Sequence, residues 1–215
     1  MKGGTRPHIL ELALIRMNLK FQIFIPKKHR PIPITNIVLV SIIGLAVLTY
    51  LFDYFSVGFV STKTIAIVMF VGLFLFFLRA AIVRGKIRPY HGRLEGWIYF
   101  NDNGLKINNE EIDLKDLTKL DFEFGSYYSE FIHHNTPIIE PWRENGTNNF
   151  LKLNYIDGTT RSIQFQRMYE DQQKYLKPFL EYSFNMNLMS FLRLTDLLGI
   201  TKYEEIQDYK KKIEN

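Results

Sequence analysis

The sequence predicts a membrane-anchored α+β protein: a two-helix transmembrane hairpin, then a small antiparallel β-sheet or partial barrel capped by a C-terminal helix. Three observations lead there. Two runs of spanning length, residues 32–52 and 64–83, are almost free of charge. From residue 92 onward, short stretches alternate apolar and polar side chains between turn signals. Past residue 166 the apolar spacing lengthens from two to three and four, the period of an amphipathic helix.

The first run, IPITNIVLVSIIGLAVLTYLF, holds 21 residues and no charged side chain. A hydrocarbon core of about 30 Å is crossed by roughly 20 helical residues at about 1.5 Å each. The second run contains IAIVMFVGLFLFFL, and its only charge is Arg79. A core helix of a soluble protein keeps a polar stripe where it meets water. Thr35, Asn36, Ser41, Thr49 and Tyr50 are too few and too weakly polar to form one. The expected spans are residues 32–54 and 64–84, joined by an external loop at 55–63. A cleaved signal peptide is not expected, because the first run starts at Ile32 and exceeds the length of an h-region. Gly44 and Gly72 would each let another helix approach closely, although no G-x-x-x-G is present.

Charge sets the orientation. Lys2, Arg6, Arg16, Lys20, Lys27, Lys28 and Arg30 precede the first span against the single acid Glu11. Arg79, Arg84, Lys86, Arg88 and Arg93 lie at or beyond the end of the second. An excess of Lys and Arg beside a span marks its cytoplasmic side, so both termini are expected in the cytoplasm. Arg79 sits about one turn inside the boundary, where a long stem can snorkel to the phosphate layer. Residues 1–93 carry 13 Lys and Arg against two acids, and residues 94–215 carry 14 against 20, which partitions the net charge of +5 into +11 and −6. Membrane topology therefore explains the basic excess more economically than a nucleic-acid partner does. The absence of cysteine removes any disulfide framework, thiol nucleophile or thiolate metal site.

Residues 1–31 form a cytoplasmic N-terminal segment. HILELALIRMNLKFQIFIPKKHRP reads as an interfacial amphipathic helix or a strand, and the alternation of Leu19, Phe21, Ile23 and Ile25 favours a strand over 19–25, one that could pair with the sheet. Beyond the second span, Trp97 to Phe100 are strand formers, Asn101-Asp102-Asn103-Gly104 is a turn, and GLKIN, EIDL and LTKLDFEF alternate as half-buried strands do. NFLKLNYIDGTTRSIQFQ is a hairpin turning at Asp157-Gly158. RMYEDQQKYLKPFLEYSFN follows with helical spacing, with Pro178 kinking it or starting a new turn. Residues 183–215 form a helical extension of two further pieces, the first ended by Gly199.

Gly96-Trp97-Ile98-Tyr99-Phe100, Gly104-Leu105-Lys106-Ile107 and Ile112-Asp113-Leu114-Lys115-Asp116-Leu117, with a late hairpin before a helix, resemble the bacterial PH-like (pleckstrin homology-like) domain membrane proteins. The likeness covers roughly residues 34–182, with the PH-like domain itself at 92–182. It implies a small curved sheet closed at one end by a helix, at the bacterial inner membrane, as a scaffold or interaction module. Eukaryotic PH domains that grip phosphoinositides place Lys and Arg around the first strand-to-strand loop. The matching loop here, Asn101–Gly104, is acidic and holds no base, so inositol-phosphate recognition is not expected.

The richest polar stretch is SEFIHHNTPIIEPWRENGTNN. His133, His134, Glu140 and Glu144 are the metal-ligand types within it, but neighbouring histidines on an extended segment point to opposite sides and rarely share an ion. No metal and no other cofactor is expected. Ile138, Ile139 and Trp142 stand around a second proline in the same stretch and either pack on the domain or dock a partner. Asn145-Gly-Thr147 matches a glycosylation acceptor, yet falls on the expected cytoplasmic side. The basic set Lys27, Lys28, Arg30, Arg79, Arg84, Lys86 and Arg88 is placed to meet anionic lipid headgroups. No catalytic serine elbow, phosphate-binding loop or dinucleotide glycine pattern occurs. The expected protein is therefore a non-enzymatic, multi-pass inner-membrane protein. Its expected partners are the lipid bilayer and an unknown protein, with self-association open and nucleic acid excluded. The alternative is an accessory subunit of a transport or assembly complex that packs through its hairpin.

Overall fold

The computed structural model describes residues 19–28, 34–54, 62–132 and 141–214. Its architecture is α+β, with a mostly antiparallel sheet and C-terminal helices. The described residues fall into two compact units, one drawn from 1–26, 92–130 and 145–215, the other from 27–91 and 131–144.

The first unit is built on a seven-stranded sheet in the order β4-β3-β2-β1-β9-β8-β5. Its strands are β1 (Leu19–Pro26), β2 (Gly92–Asn101), β3 (Gly104–Ile107), β4 (Glu110–Ile112), β5 (Leu117–Phe124), β8 (Asn149–Tyr155) and β9 (Thr160–Gln166). Two further strands, β6 (Tyr128–Phe131) and β7 (Arg143–Asn145), make a separate ribbon. Alternation decides the faces, since successive strand residues point to opposite sides. Phe21, Ile98, Phe100, Leu120, Phe122, Leu151, Leu153 and Phe165 are all buried on one side. The β8–β9 hairpin turns where expected, with Gly158 at φ +85°, a conformation that costs glycine little.

The sheet is closed by helices. A 3₁₀ segment, Glu170–Leu176, leads into α3 (Lys177–Asn185), with Pro178 in its first turn. That is the position where a missing N–H costs nothing, so Pro178 starts the helix rather than kinking one. Phe179 meets Phe100 edge-on, with ring centroids 5.0 Å apart. Two more helices, α4 (Phe191–Leu197) and α5 (Tyr203–Glu214), bring Leu194, Leu197 and Tyr209 into the same core.

This arrangement corrects two expected boundaries. The sheet does not begin at residue 92: β1 lies inside it, paired with β2 on one side and β9 on the other. Phe21 is buried there, 5.0 Å from Phe165 and 5.7 Å from Phe100. Residues 183–214 are not an extension but part of the core, because Leu194 and Leu197 are buried with the sheet residues. A third correction follows from the first. Asn101–Gly104 joins the second strand to the third, so the sheet's first strand-to-strand connection is residues 27–91.

The second unit contains α1 (Ile34–Tyr54) and α2 (Thr62–Arg84). They pack along one narrow seam. On α1 the less exposed side chains are Ile42, Ala46 and Thr49, and on α2 Gly72, Phe76, Arg79, Ala80 and Val83. A Cβ on Gly72 would lie 3.5 Å from Ile42 Cγ2, so the glycine faces the other helix, while Gly44 has nothing within 4 Å. Ser41 and Thr49 donate their hydroxyls back to the carbonyls of Ile37 and Ala46, each at 2.8 Å, which satisfies them without water. Among the described residues, Ala66–Arg84 is the one helical stretch long and apolar enough to cross a membrane. The described apolar stretch of α1, Val40–Leu51, is shorter. Among the described residues, one helix of spanning length and composition therefore stands where two were expected.

Candidate membrane-interface site

The chemistry-bearing side chains converge where α2 ends. Arg84 closes that helix, and the chain runs on through Gly85 and Lys86 to Ile87 and Arg88. A segment from the same unit returns to meet it. Ile87 forms a parallel bridge with Arg143, and the Arg88 N–H donates to the Arg143 carbonyl at 2.8 Å. The Ile132 N–H donates to the Trp142 carbonyl at 2.8 Å. Backbone hydrogen bonds thus fix this segment before any side chain is considered.

Side chains complete the site. The Arg84 guanidinium lies 4.6 Å from the centre of the Trp142 ring, within the range of a cation–π contact. Phe131 meets Trp142 edge-on at 5.7 Å and 81°, a geometry that aligns the positive ring edge with a negative face. The Arg88 guanidinium donates to Glu144 Oε1 at 2.7 Å, with both groups half-buried. The indole N–H of Trp142 finds no acceptor among the described residues. On the other strand leaving the sheet, the Lys27 N–H donates to the His91 carbonyl at 2.8 Å, and both Lys27 and Lys28 are exposed.

The expected headgroup cations divide by environment. Lys27, Lys28, Arg84 and Lys86 are exposed. Arg88 is neutralised by Glu144. Arg79 is half-buried on the face of α2 that holds Gly72 and Ala80, rather than on the outward one. Arg30, Ile138 and Ile139 lie outside the described residues, as do His133, His134 and Glu140. Trp142, expected either to pack or to dock, packs on its own chain between Arg84 and Phe131. Among the described residues no three His, Asp or Glu side chains gather as a metal would require.

Phe131 belongs to this site and was not singled out from the sequence, whereas Glu144 was weighed there only as a metal-ligand type and is found paired with Arg88. Glu144 is 56 residues from Arg88, so nothing local signals the pair.

Two open grooves lie among the described residues of the sheet unit. The larger, about 450 Å³, runs beside β5 and is lined by Thr118, Lys119, Asp121, Leu188, Met189 and Arg193. Its charged pair is already committed, since Arg193 Nε donates to Asp121 Oδ1 at 2.7 Å. The smaller, about 240 Å³, lies between Phe100 and Tyr175. Neither combines a nucleophile with an adjacent base. No family model, curated protein or solved structure matches this chain.

Proposed function

We propose that this is a non-enzymatic inner-membrane protein whose α1–α2 hairpin crosses the bilayer twice and whose PH-like sheet domain serves protein or membrane-surface contacts in the cytoplasm. The observation that carries the reading is uncovered apolar surface. Only 11% of the Ala66–Arg84 stretch is buried, and Leu45, Phe70, Phe74 and Phe77 are each more than half exposed. Each such side chain forgoes about 1.5–3 kcal/mol if left in water. A helix pair with apolar residues all round, and hydroxyls bonded to their own backbone, suits hydrocarbon rather than water.

Two features support the finer points. A mostly antiparallel sheet followed by C-terminal helices is compatible with the PH-like resemblance. Exposed Lys27, Lys28, Arg84 and Lys86 flank the hairpin, and each such cation near an anionic surface contributes about 1 kcal/mol of attraction. Alkaline carbonate extraction of membranes tests the core of the reading. The full chain stays in the pellet, and a chain with residues 27–91 replaced by a short turn is released. Release of the full chain defeats the proposal.

A second reading, an accessory subunit packing through its hairpin on a larger complex or on a second copy, is favoured by Gly44. It is exposed on α1 with open space around it, which lets another helix approach closely. Pull-down in mild detergent separates the two. Partners lost on replacing the outward side chains of α1 with leucine favour the subunit, and partners retained favour the sheet domain.

A further inference from the structure

We infer that Phe131 and Trp142 form a third bilayer contact, an interfacial anchor lying at the headgroup–acyl boundary beside the end of α2. The inference rests on the proposed membrane reading and adds a site to it. Its occupant is a lipid surface.

Depth follows from contact. Arg84 is the last residue of the apolar helix and the only basic residue of its last turn, so in a spanning α2 its guanidinium reaches the phosphates. Trp142 is held 4.6 Å from that guanidinium and therefore shares its depth. Tryptophan belongs there, because its large polarisable ring is enriched at headgroup level, although the Trp142 N–H itself is buried and only the ring is offered. Phe131, packed on Trp142 and 42% exposed, presents the apolar surface that the acyl region takes. Stacking uses one face of the Arg84 guanidinium and leaves its edge donors open to phosphate.

Charge permits the approach. Glu144 would repel an anionic surface, but its carboxylate is neutralised by Arg88. The neighbouring exposed groups, Arg84 and Lys86, are positive. The backbone bonds from Ile132 to Trp142 and from Arg88 to Arg143 hold the ring on the helix end without relying on the stack alone. Finally, Phe131 and Trp142 belong to the same compact unit as the two helices.

The test uses the protein's own tryptophan. The chain has two, Trp97 and Trp142, so Trp97→Tyr leaves Trp142 as sole reporter. The full-length variant is reconstituted in phosphatidylethanolamine–phosphatidylglycerol vesicles, with lipids brominated either high or low on the acyl chain. A control carries Trp97→Tyr, Trp142→Phe and Phe74→Trp, placing the reporter mid-helix. The anchor predicts a loss of Trp142 emission that is larger with shallow bromines, and the control predicts the reverse. Unquenched Trp142 beside a quenched control overturns the anchor and leaves the hairpin reading intact. If neither is quenched, the membrane reading fails and the anchor fails with it.

Discussion

Pro26, the last residue of β1, is the register partner of Gly92, the first residue of β2. The chain therefore leaves the sheet and rejoins it at neighbouring points, with 65 residues between them. The approach is close enough that a Cβ on residue 92 would lie 2.2 Å from the Ile25 carbonyl oxygen, which is why glycine stands there. A hairpin inserted between two adjacent strands must begin and end on the same side of any barrier it crosses. Strand pairing thus requires both ends of residues 27–91 to lie on one side, whichever side that is.

If that is so, the insertion is dispensable for the sheet. Replacing residues 27–91 with Asn-Gly, a pair suited to tight antiparallel turns, should leave a soluble domain with native β-sheet circular dichroism. Removing residues 1–26 from the same chain should abolish it, because β2 and β9 then lose the strand that joins them. Equal solubility and cooperativity of both proteins would contradict the strand order.

Within that strand, Phe21 is nearly inaccessible and meets two other rings. Phe21→Ala should destabilise the sheet unit by about 3–5 kcal/mol, the usual cost of emptying a buried aromatic site. Urea unfolding of the hairpin-deleted domain reads this directly. A loss under about 1 kcal/mol would mean β1 contributes no packing.

Arg193 ties α4 to the edge strand β5. Its Nε donates to Asp121 at 2.7 Å, and its other nitrogens reach the Phe122 carbonyl and Asp196. Arg193→Ala should cost about 1–3 kcal/mol, since it strands the Asp121 carboxylate and a backbone carbonyl. Arg193→Lys should recover little, because one ammonium lacks the fork that serves three acceptors. Thermal melting of the two variants decides between a fork and a simple charge.

Alkaline pH should loosen α5. Burial raises the Tyr209 phenol above its ordinary value, and its hydrogen bond to Glu181 at 2.6 Å raises it further. A raised folded value means that the neutral phenol's contribution is complete below its unfolded pKa of about 10 and is lost as pH rises beyond it. The native protein should therefore lose stability above about pH 10 more steeply than Tyr209→Phe. Parallel pH profiles for the two would show that the buried phenol does not couple to folding.

Orientation can be read by labelling, because the chain has no cysteine of its own. Lys63→Cys, at the start of α2, should react with an impermeant maleimide in intact cells. Tyr203→Cys, at a residue 75% exposed in the sheet unit, should react only after lysis. Labelling of Tyr203→Cys alone before lysis would invert the proposed topology, and labelling of both would abolish it.

Local pattern made most of this protein legible. Strand alternation placed β3, β5, β8 and β9, the Asp157-Gly158 turn was recognisable by its chemistry, and charge-free length marked the two long helices. Each is written in residues that are neighbours in the chain, where backbone period and turn chemistry act. Tertiary structure alone decided that β1 crosses the sequence gap to pair with β9, that Leu194 and Tyr209 complete the core, and that Glu144 cancels Arg88. Those outcomes depend on burial shared between distant segments, where several pairings satisfy the same alternation and only close packing and charge neutralisation select one.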